Sequence, residues 1–383
     1  YDPPEETDIV VGSGNNPEVN VFYAANYHGG TDDSWNGTSA KNAGGIYIFD
    51  SHATSTYNSR TYHNFYRSEL YTYDNELQQF KNIRVTRSGS YIYIAYYDRL
   101  RNTIKTSVIN DSATGNASRP NTSTYGLPWI TLDGSDADDI DKNGTGFSFA
   151  GGWTPSILED ARYTAGGTKR ASSTGESVAI TTNKNGYPVV FYMDSDGHPR
   201  IAVANKAYPT ASADWLVQEA FASSDENYDT ASDYMACAVD SSGNLHIAFQ
   251  NTKGQLVYAK STNTPGNGAK YTMETSQVLD DSGMWIDMTL NGTTPYISYL
   301  SKINSFDGMK MAYYDPDFDE NNDGAQASTK GGWETMTAPL NAKVTNVRSC
   351  IEVNAKAYDS TIYKAAIGFC PGSDYRAAFY VGE

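Results

Sequence analysis

The sequence has no apolar run near the roughly 18 residues that a membrane-spanning helix needs, and it opens on YDPPEETD, which has neither the basic n-region nor the apolar h-region of a signal peptide. No membrane insertion is expected. Cysteine is scarce: Cys237, Cys350 and Cys370 show no Cys-x-x-Cys spacing, and three thiols cannot all pair within one chain. Neither a zinc knuckle nor a disulfide framework is suggested. Basic residues are few, 28 Lys and Arg against 45 Asp and Glu for a net charge of −17, and they form no cluster. Such a chain repels polyanions, so nucleic acid is not an expected partner. The five histidines lack metal-ligand spacing, and neither a Gly-x-Ser-x-Gly elbow nor a phosphate-cradling loop occurs. Long Ala/Leu/Glu/Lys-rich stretches are missing too, which argues against a helical fold.

What is abundant is tyrosine (30), glycine (33) and small polar residues, the composition of many short strands joined by polar turns. The stretch VDSSGNLHIAFQNTKGQLVYAKS (239–261) holds two short apolar runs, each led in by a Gly-containing turn, and this order recurs. Residues 177–206 align with 234–261 almost without a gap, and 82–109, 285–315 and, in degenerate form, 346–382 repeat it. A further copy fits the start, with strands over 8–27 and 44–51. Four copies carry an additional strand-like piece, LPWITLD (127–133), DWLVQEA (214–220), KYTMETS (270–276) and GWETMTA (332–338). Each unit therefore reads as four antiparallel strands, and units of this kind repeated along a chain are the signature of β-propeller blades.

The expected fold is an all-β, six-bladed propeller forming one domain over 1–383, with blades starting near 8, 82, 177, 234, 285 and 346. Seven blades are the alternative if the long insertion 134–174 conceals another. The last copy ends after three strands, so the segment before Val10 is expected to supply its fourth and close the ring. The repeats GNLHIAF…GQLVYA and GYPVVFY…GHPRIAV resemble those of bacterial secreted and surface propellers related to the sialidase-like superfamily. That resemblance implies a propeller scaffold; the Arg-Ile-Pro segment and Asp-box of sialidases proper are absent.

In a propeller the first strand of each blade is innermost, so equivalent first-strand positions form rings. One ring reads Val10, Arg84, Ala179, Ala236, Asp287 and Arg348; the ring two residues earlier reads Asp8, Asn82, Ser177, Tyr234, Trp285 and Asn346. The candidate ligand-binding residues are accordingly Arg84, Asp287, Arg348, Trp285, Tyr234, Asn82 and Asn346. In this reading Asp287 pairs with Arg348, Arg84 meets an anionic or hydroxyl-rich guest, and an aromatic ring offers a stacking face. DENNDG (319–324) places Asp319, Asn321 and Asp323 as calcium loops do, although Lys330 stands where an EF-hand has glutamate. A structural calcium is the one cofactor expected. The function expected is that of an extracytoplasmic (secreted, periplasmic or surface), non-enzymatic propeller that binds a glycan or protein at its loop-rich entrance. A sialidase-like glycoside hydrolase or lyase is the alternative.

Overall fold

A computed structural model describes residues 6–12, 19–26, 44–57, 60–72, 80–98, 103–110, 154–160, 177–194, 197–209, 214–228, 234–266, 268–303, 306–315, 331–337, 350–356, 362–369 and 378–382. Among the described residues the elements are all strands, arranged in six sheets with antiparallel neighbours. By contacts the chain divides into two compact units, residues 1–195, 202–217 and 267–269 forming the first and 196–201, 218–266 and 270–383 the second.

The first unit contains the sheet β1 (Glu6–Val11), β2 (Val19–Asn26), β3 (Gly44–Tyr57), β4 (Arg60–Thr72), and the sheet β5 (Phe80–Ser88), β6 (Tyr91–Asp98), β7 (Thr103–Asn110), β8 (Thr154–Asp160). It also contains most of a third sheet, β9 (Val178–Thr182), β10 (Pro188–Met193), β11 (Pro199–Ala204), β12 (Trp215–Glu219). Strands follow one another in sequence order across each sheet, and the first strands β1, β5 and β9 lie side by side. Sheets stacked this way bury both faces of their middle strands. The apolar run PVVFYM of β10 is accordingly buried at every residue, and Tyr93, Tyr97, Val190, Tyr192, Ala202 and Trp215 share one core. Burying a ring such as Phe191 completely is worth about 1.5–3 kcal/mol.

The second unit contains β13 (Met235–Val239), β14 (Leu245–Gln250), β15 (Leu256–Lys260), β16 (Gln277–Asp280), then β17 (Met284–Asn291), β18 (Thr294–Ile303), β19 (Phe306–Asp315), β20 (Gly332–Thr337), and a three-stranded sheet β21 (Cys350–Lys356), β22 (Ile362–Phe369), β23 (Ala378–Gly382). Here too the first strands β13, β17 and β21 are neighbours, and apolar clusters fill the seams on either side of β17.

The recurring Asx-x-x-Gly turns have one cause. The side-chain oxygen of Asn183 accepts the N–H groups of Asn185 and Tyr187, Asp240 those of Ser242 and Asn244, and Asn251 those of Lys253 and Gln255, all at 2.8–3.0 Å. The residue three on must then adopt positive φ, and it is glycine each time: Gly186 (77°), Gly243 (95°) and Gly254 (83°).

Three details differ from the sequence expectation. The fourth strand of the second sheet is β8, inside the stretch read as an insertion, while LPWITLD lies outside the described residues. KYTMETS is not the fourth strand of the fourth sheet; β16, just beyond it, is. KYTMETS makes only an isolated antiparallel bridge past the end of β15, Ser261 to Met273, with the Glu274 N–H on the Lys260 carbonyl and the Thr262 N–H on the Thr272 carbonyl, both at 2.8 Å, while the Gln218 amide takes the Tyr271 N–H (2.9 Å) and carbonyl (2.8 Å). Finally, residues 6–11, part of the segment expected to close the ring, pair with β2 in the first sheet, and the residues before Glu6 lie outside the described residues.

Candidate functional site

The first strands carry a repeated irregularity where the sequence placed its candidate ring. In β5 the register with β6 slips between Lys81 and Arg84, and in β17 the register with β18 slips between Met284 and Asp287. Two residues then oppose one, a β-bulge. The first bulged residue is left-handed in each: Asn82 at φ 54° and Trp285 at φ 52°, the non-glycine residues in that region among those described. Asparagine visits this conformation readily, whereas for a bulky ring it is a strained outlier. The Trp285 ring lies 4.9 Å from that of Tyr234, tilted by 57°.

Acidic residues brace the strands beyond the bulges. Asp287 accepts the N–H of Met288 and, from β21, that of Ile351, both at 2.9 Å. In the first unit Asp8 accepts the N–H of Ile9 (2.9 Å) and, from β5, that of Val85 (2.7 Å). Asp8 is therefore the counterpart of Asp287, two residues from the Val10 that the sequence alignment put there. Since Val85 follows Arg84 and Ile351 follows Cys350, the counterpart of Arg84 in the last sheet is Cys350, not Arg348. A slip of two residues keeps the same face of a strand turned inward, so alternation alone does not detect it. Arg84 is half-buried and donates to the Ile83 carbonyl at 3.2 Å.

A second cluster sits at the outer strands of the third sheet. The Ala220 N–H on the Pro199 carbonyl (2.9 Å) pairs the end of β12 with the start of β11, so Arg200 and Glu219 face each other across the ladder, 3.5 Å apart. The Tyr228 hydroxyl donates to Glu219 at 3.2 Å, and the His198 ring stacks on Tyr228 at 4.5 Å and 26°. Tyr228 is held by a buried polar network: Asp225 accepts from the Ser276 hydroxyl (2.6 Å) and N–H (3.1 Å), Asn227 donates to Ser276 (2.8 Å), and Asn251 donates to Asn227 (2.7 Å). Satisfied networks of this kind fix a single geometry. The arrangement offers a guanidinium donor, a carboxylate acceptor and an aromatic wall within one partly exposed patch.

A third constellation is buried. The Asp240 carboxylate faces His246 Nε2 (3.2 Å), Lys260 Nζ (3.5 Å) and Asn244 Nδ2 (3.0 Å), and His246 Nδ1 meets the Tyr258 hydroxyl at 2.7 Å. Desolvation lowers the His246 pKa, so the ring is neutral, with Nε2–H given to Asp240 and Nδ1 accepting from Tyr258. Desolvation pushes the Asp240 carboxyl up, but hydrogen bonds from Asn244 and His246 outweigh it and bring the pKa down to about 2. Burial also raises the Tyr258 phenol. His246 and Asp240 are both buried, so the network joins the turn at Asp240 to β14 and β15 within the core.

Of the sequence candidates, Tyr234, Trp285 and Asp287 fall together in the second unit, and Asn82 and Arg84 in the first. Arg348, Asn346 and the calcium candidates Asp319, Asn321 and Asp323 lie outside the described residues. Among the described residues no group of three or more His, Cys, Asp and Glu is placed to hold a metal, and no helix is long and apolar enough to cross a membrane. Sequence reasoning missed the Arg200, Glu219, Tyr228 and His198 cluster. The available signal was GHPRIAV opposite DWLVQEA, which sets Arg200 and Glu219 on facing strands once their register is known.

No family model and no curated protein matches this sequence. Solved structures similar to this chain include the SapL1 lectin in complex with α-methyl fucoside, at 12% identity over 98% of this chain and 92% of that one, TM-score 0.47. The fucose-specific lectin from Aleuria aurantia is similar at 10% identity over 100% and 94%, TM-score 0.46. A leech intramolecular trans-sialidase in complex with 2,7-anhydro-Neu5Ac is similar at 11% identity over 98% and 67%, TM-score 0.46.

Proposed function

We propose that this chain is a six-bladed, extracytoplasmic β-propeller that binds a glycan without turning it over. The observation that carries the reading is the patch formed by Arg200, Glu219, Tyr228 and His198. A pair of neighbouring sugar hydroxyls presents donors and acceptors a few ångströms apart; a carboxylate takes the donors while a planar guanidinium supplies N–H groups to the oxygens. The 3.5 Å between Arg200 and Glu219 exceeds the 2.7–2.9 Å of a tight charge-assisted hydrogen bond, so the pair is loose and a sugar diol can meet it side-on, one hydroxyl accepting from the guanidinium and its neighbour donating to the carboxylate. An aromatic ring beside such a pair takes the apolar face of a pyranose. The radial reading of the fold is supported by the sequence-ordered sheets and by the first strands lying side by side within each unit. The channel-mouth residues of the sequence analysis, Arg84, Asn82, Tyr234, Trp285, Asp287, Asn346 and Arg348, remain part of the proposal as a separate contact region for a longer ligand.

Titration of the protein with a panel of neutral monosaccharide methyl glycosides, followed by calorimetry, tests this. Binding of at least one glycoside is expected, reduced tenfold or more by Arg200→Ala and by Glu219→Gln with melting temperature held. A half-exposed ion pair of this kind contributes only about 0–1 kcal/mol to stability, so the two readouts separate. No binding across the panel, or binding indifferent to both substitutions, overturns the proposal.

A further inference from the structure

We infer that Glu219 Oε2 sets the specificity of the Arg200 patch: the sugar it admits is neutral and keeps two neighbouring hydroxyls unsubstituted, one of them an obligatory donor. The inference rests on the glycan reading of that patch and says which sugars enter it. The two oxygens of the Glu219 carboxylate have different duties. Oε1 faces the Arg200 guanidinium at 3.5 Å and accepts the Tyr228 hydroxyl at 3.2 Å, so it is met by two donors of the protein itself. Among the described residues Oε2 receives neither a hydrogen bond nor an ion pair, and the side chain is 44% exposed. Tyr228 is anchored in turn, because its N–H reaches the Asp225 carbonyl at 3.1 Å and Asp225 is held by Ser276. Oε1 is thus a braced oxygen, and Oε2 is the acceptor offered to a ligand.

A carboxylate accepts hydrogen bonds and does not donate them, whereas a guanidinium only donates. A pair of neighbouring hydroxyls therefore meets the patch in one sense. The hydroxyl on Oε2 gives its hydrogen, and its neighbour offers a lone pair to Arg200. A sugar glycosidically linked or acylated at the first oxygen has no hydrogen to give. A sulfate or phosphate there sets an anion against Glu219, and its attraction to Arg200, at a comparable distance, only offsets that repulsion. The aromatic wall of Tyr228 and His198 cannot make up the difference, because it meets the apolar face of the ring and is blind to which oxygen carries a proton. The ligand is accordingly a chain end, or a residue joined only through its other positions.

The test is calorimetric titration of the full chain with the tightest-binding neutral methyl glycoside and with its monofluoro series, each ring hydroxyl in turn replaced by fluorine. Fluorine keeps a weak acceptor and removes the donor. One position should lose about tenfold or more in affinity, the order of one hydrogen bond to a charged group, and the adjacent position should lose less. O-Sulfation at the sensitive position should abolish binding. In Glu219→Gln the side chain offers an N–H as well as an oxygen, so the ratio between the parent glycoside and the sensitive fluoro analogue should shrink several-fold, whatever the overall loss of affinity. That ratio compares two ligands on one protein, so a change in the variant's stability does not enter it. If no neutral glycoside binds, the glycan reading of the patch falls and this inference with it. If glycosides bind but every fluoro position loses alike, or the sulfated sugar binds as well as its parent, or the donor penalty is unchanged in Glu219→Gln, the inference alone is overturned.

Discussion

Replacing Trp285 by glycine and by alanine gives opposite answers according to whether its backbone is held left-handed. At an ordinary strand position glycine is less stable than alanine by about 0.5–1 kcal/mol, because its unfolded chain has more freedom to lose. At φ 52° the order inverts, since a Cβ in that region costs roughly 1–2 kcal/mol that glycine does not bear. Both variants forfeit the same ring contacts, with Tyr234 and with the cluster of Leu300, Met309 and Ile351, so these cancel in the comparison. Trp285→Gly should therefore be more stable than Trp285→Ala by about 1 kcal/mol, the strain term less the entropy term. Urea unfolding of the two variants in parallel, compared at their midpoints, reads this difference. Equal midpoints, or a higher one for alanine, would refute the bulge geometry and with it the case for a strained aromatic at this mouth.

Removing the brace at Asp287 by Asp287→Ala leaves the Ile351 N–H without its carboxylate and should cost about 1–3 kcal/mol, with Asp8→Ala behaving alike at Val85; a neutral result at both positions in thermal melts would contradict the shared role. Stability should fall as pH drops below the unfolded histidine value of 6.5, because the unfolded chain takes a proton there that desolvated His246 refuses, and His246→Gln should remove that step. A second loss follows from about pH 4 toward 2, as Asp240, ionised in the folded state down to about 2, is matched by protonation of the unfolded chain; pH-jump melts of wild type and Asp240→Asn separate the two steps. If calcium occupies Asp319, Asn321 and Asp323, as we propose, EDTA should lower the melting temperature, and an identical curve with and without chelator defeats that assignment.

Much of the architecture could be read from residues alone because the chemistry of its turns is local. Asn183, Asp240 and Asn251 each fold the chain back on themselves and demand glycine three residues on, so the hairpins announce themselves. Outer strands were less legible where long-range partners decide them. Tyr271 sits in a stretch with strand-like composition, yet Gln218, 53 residues away, takes both of its backbone groups. Ring positions suffered from the period of two, which lets Arg348 stand for Cys350 and Val10 for Asp8 without disturbing the inward face. The Arg200 and Glu219 pair needed the strand register, and Tyr228 needed the buried Asp225, Ser276, Asn227 and Asn251 network that places it; neither is a pattern of neighbouring residues.

The most direct test of glycan binding is a crystal structure of the protein soaked with the tightest-binding neutral glycoside from the calorimetric panel. A sugar ring is expected with one hydroxyl on the Arg200 guanidinium and its neighbour on the Glu219 carboxylate, side-on to the pair, its apolar face toward the Tyr228 and His198 rings. A sugar bound elsewhere with this patch empty, or no sugar at concentrations that saturate the calorimetric signal, would contradict it.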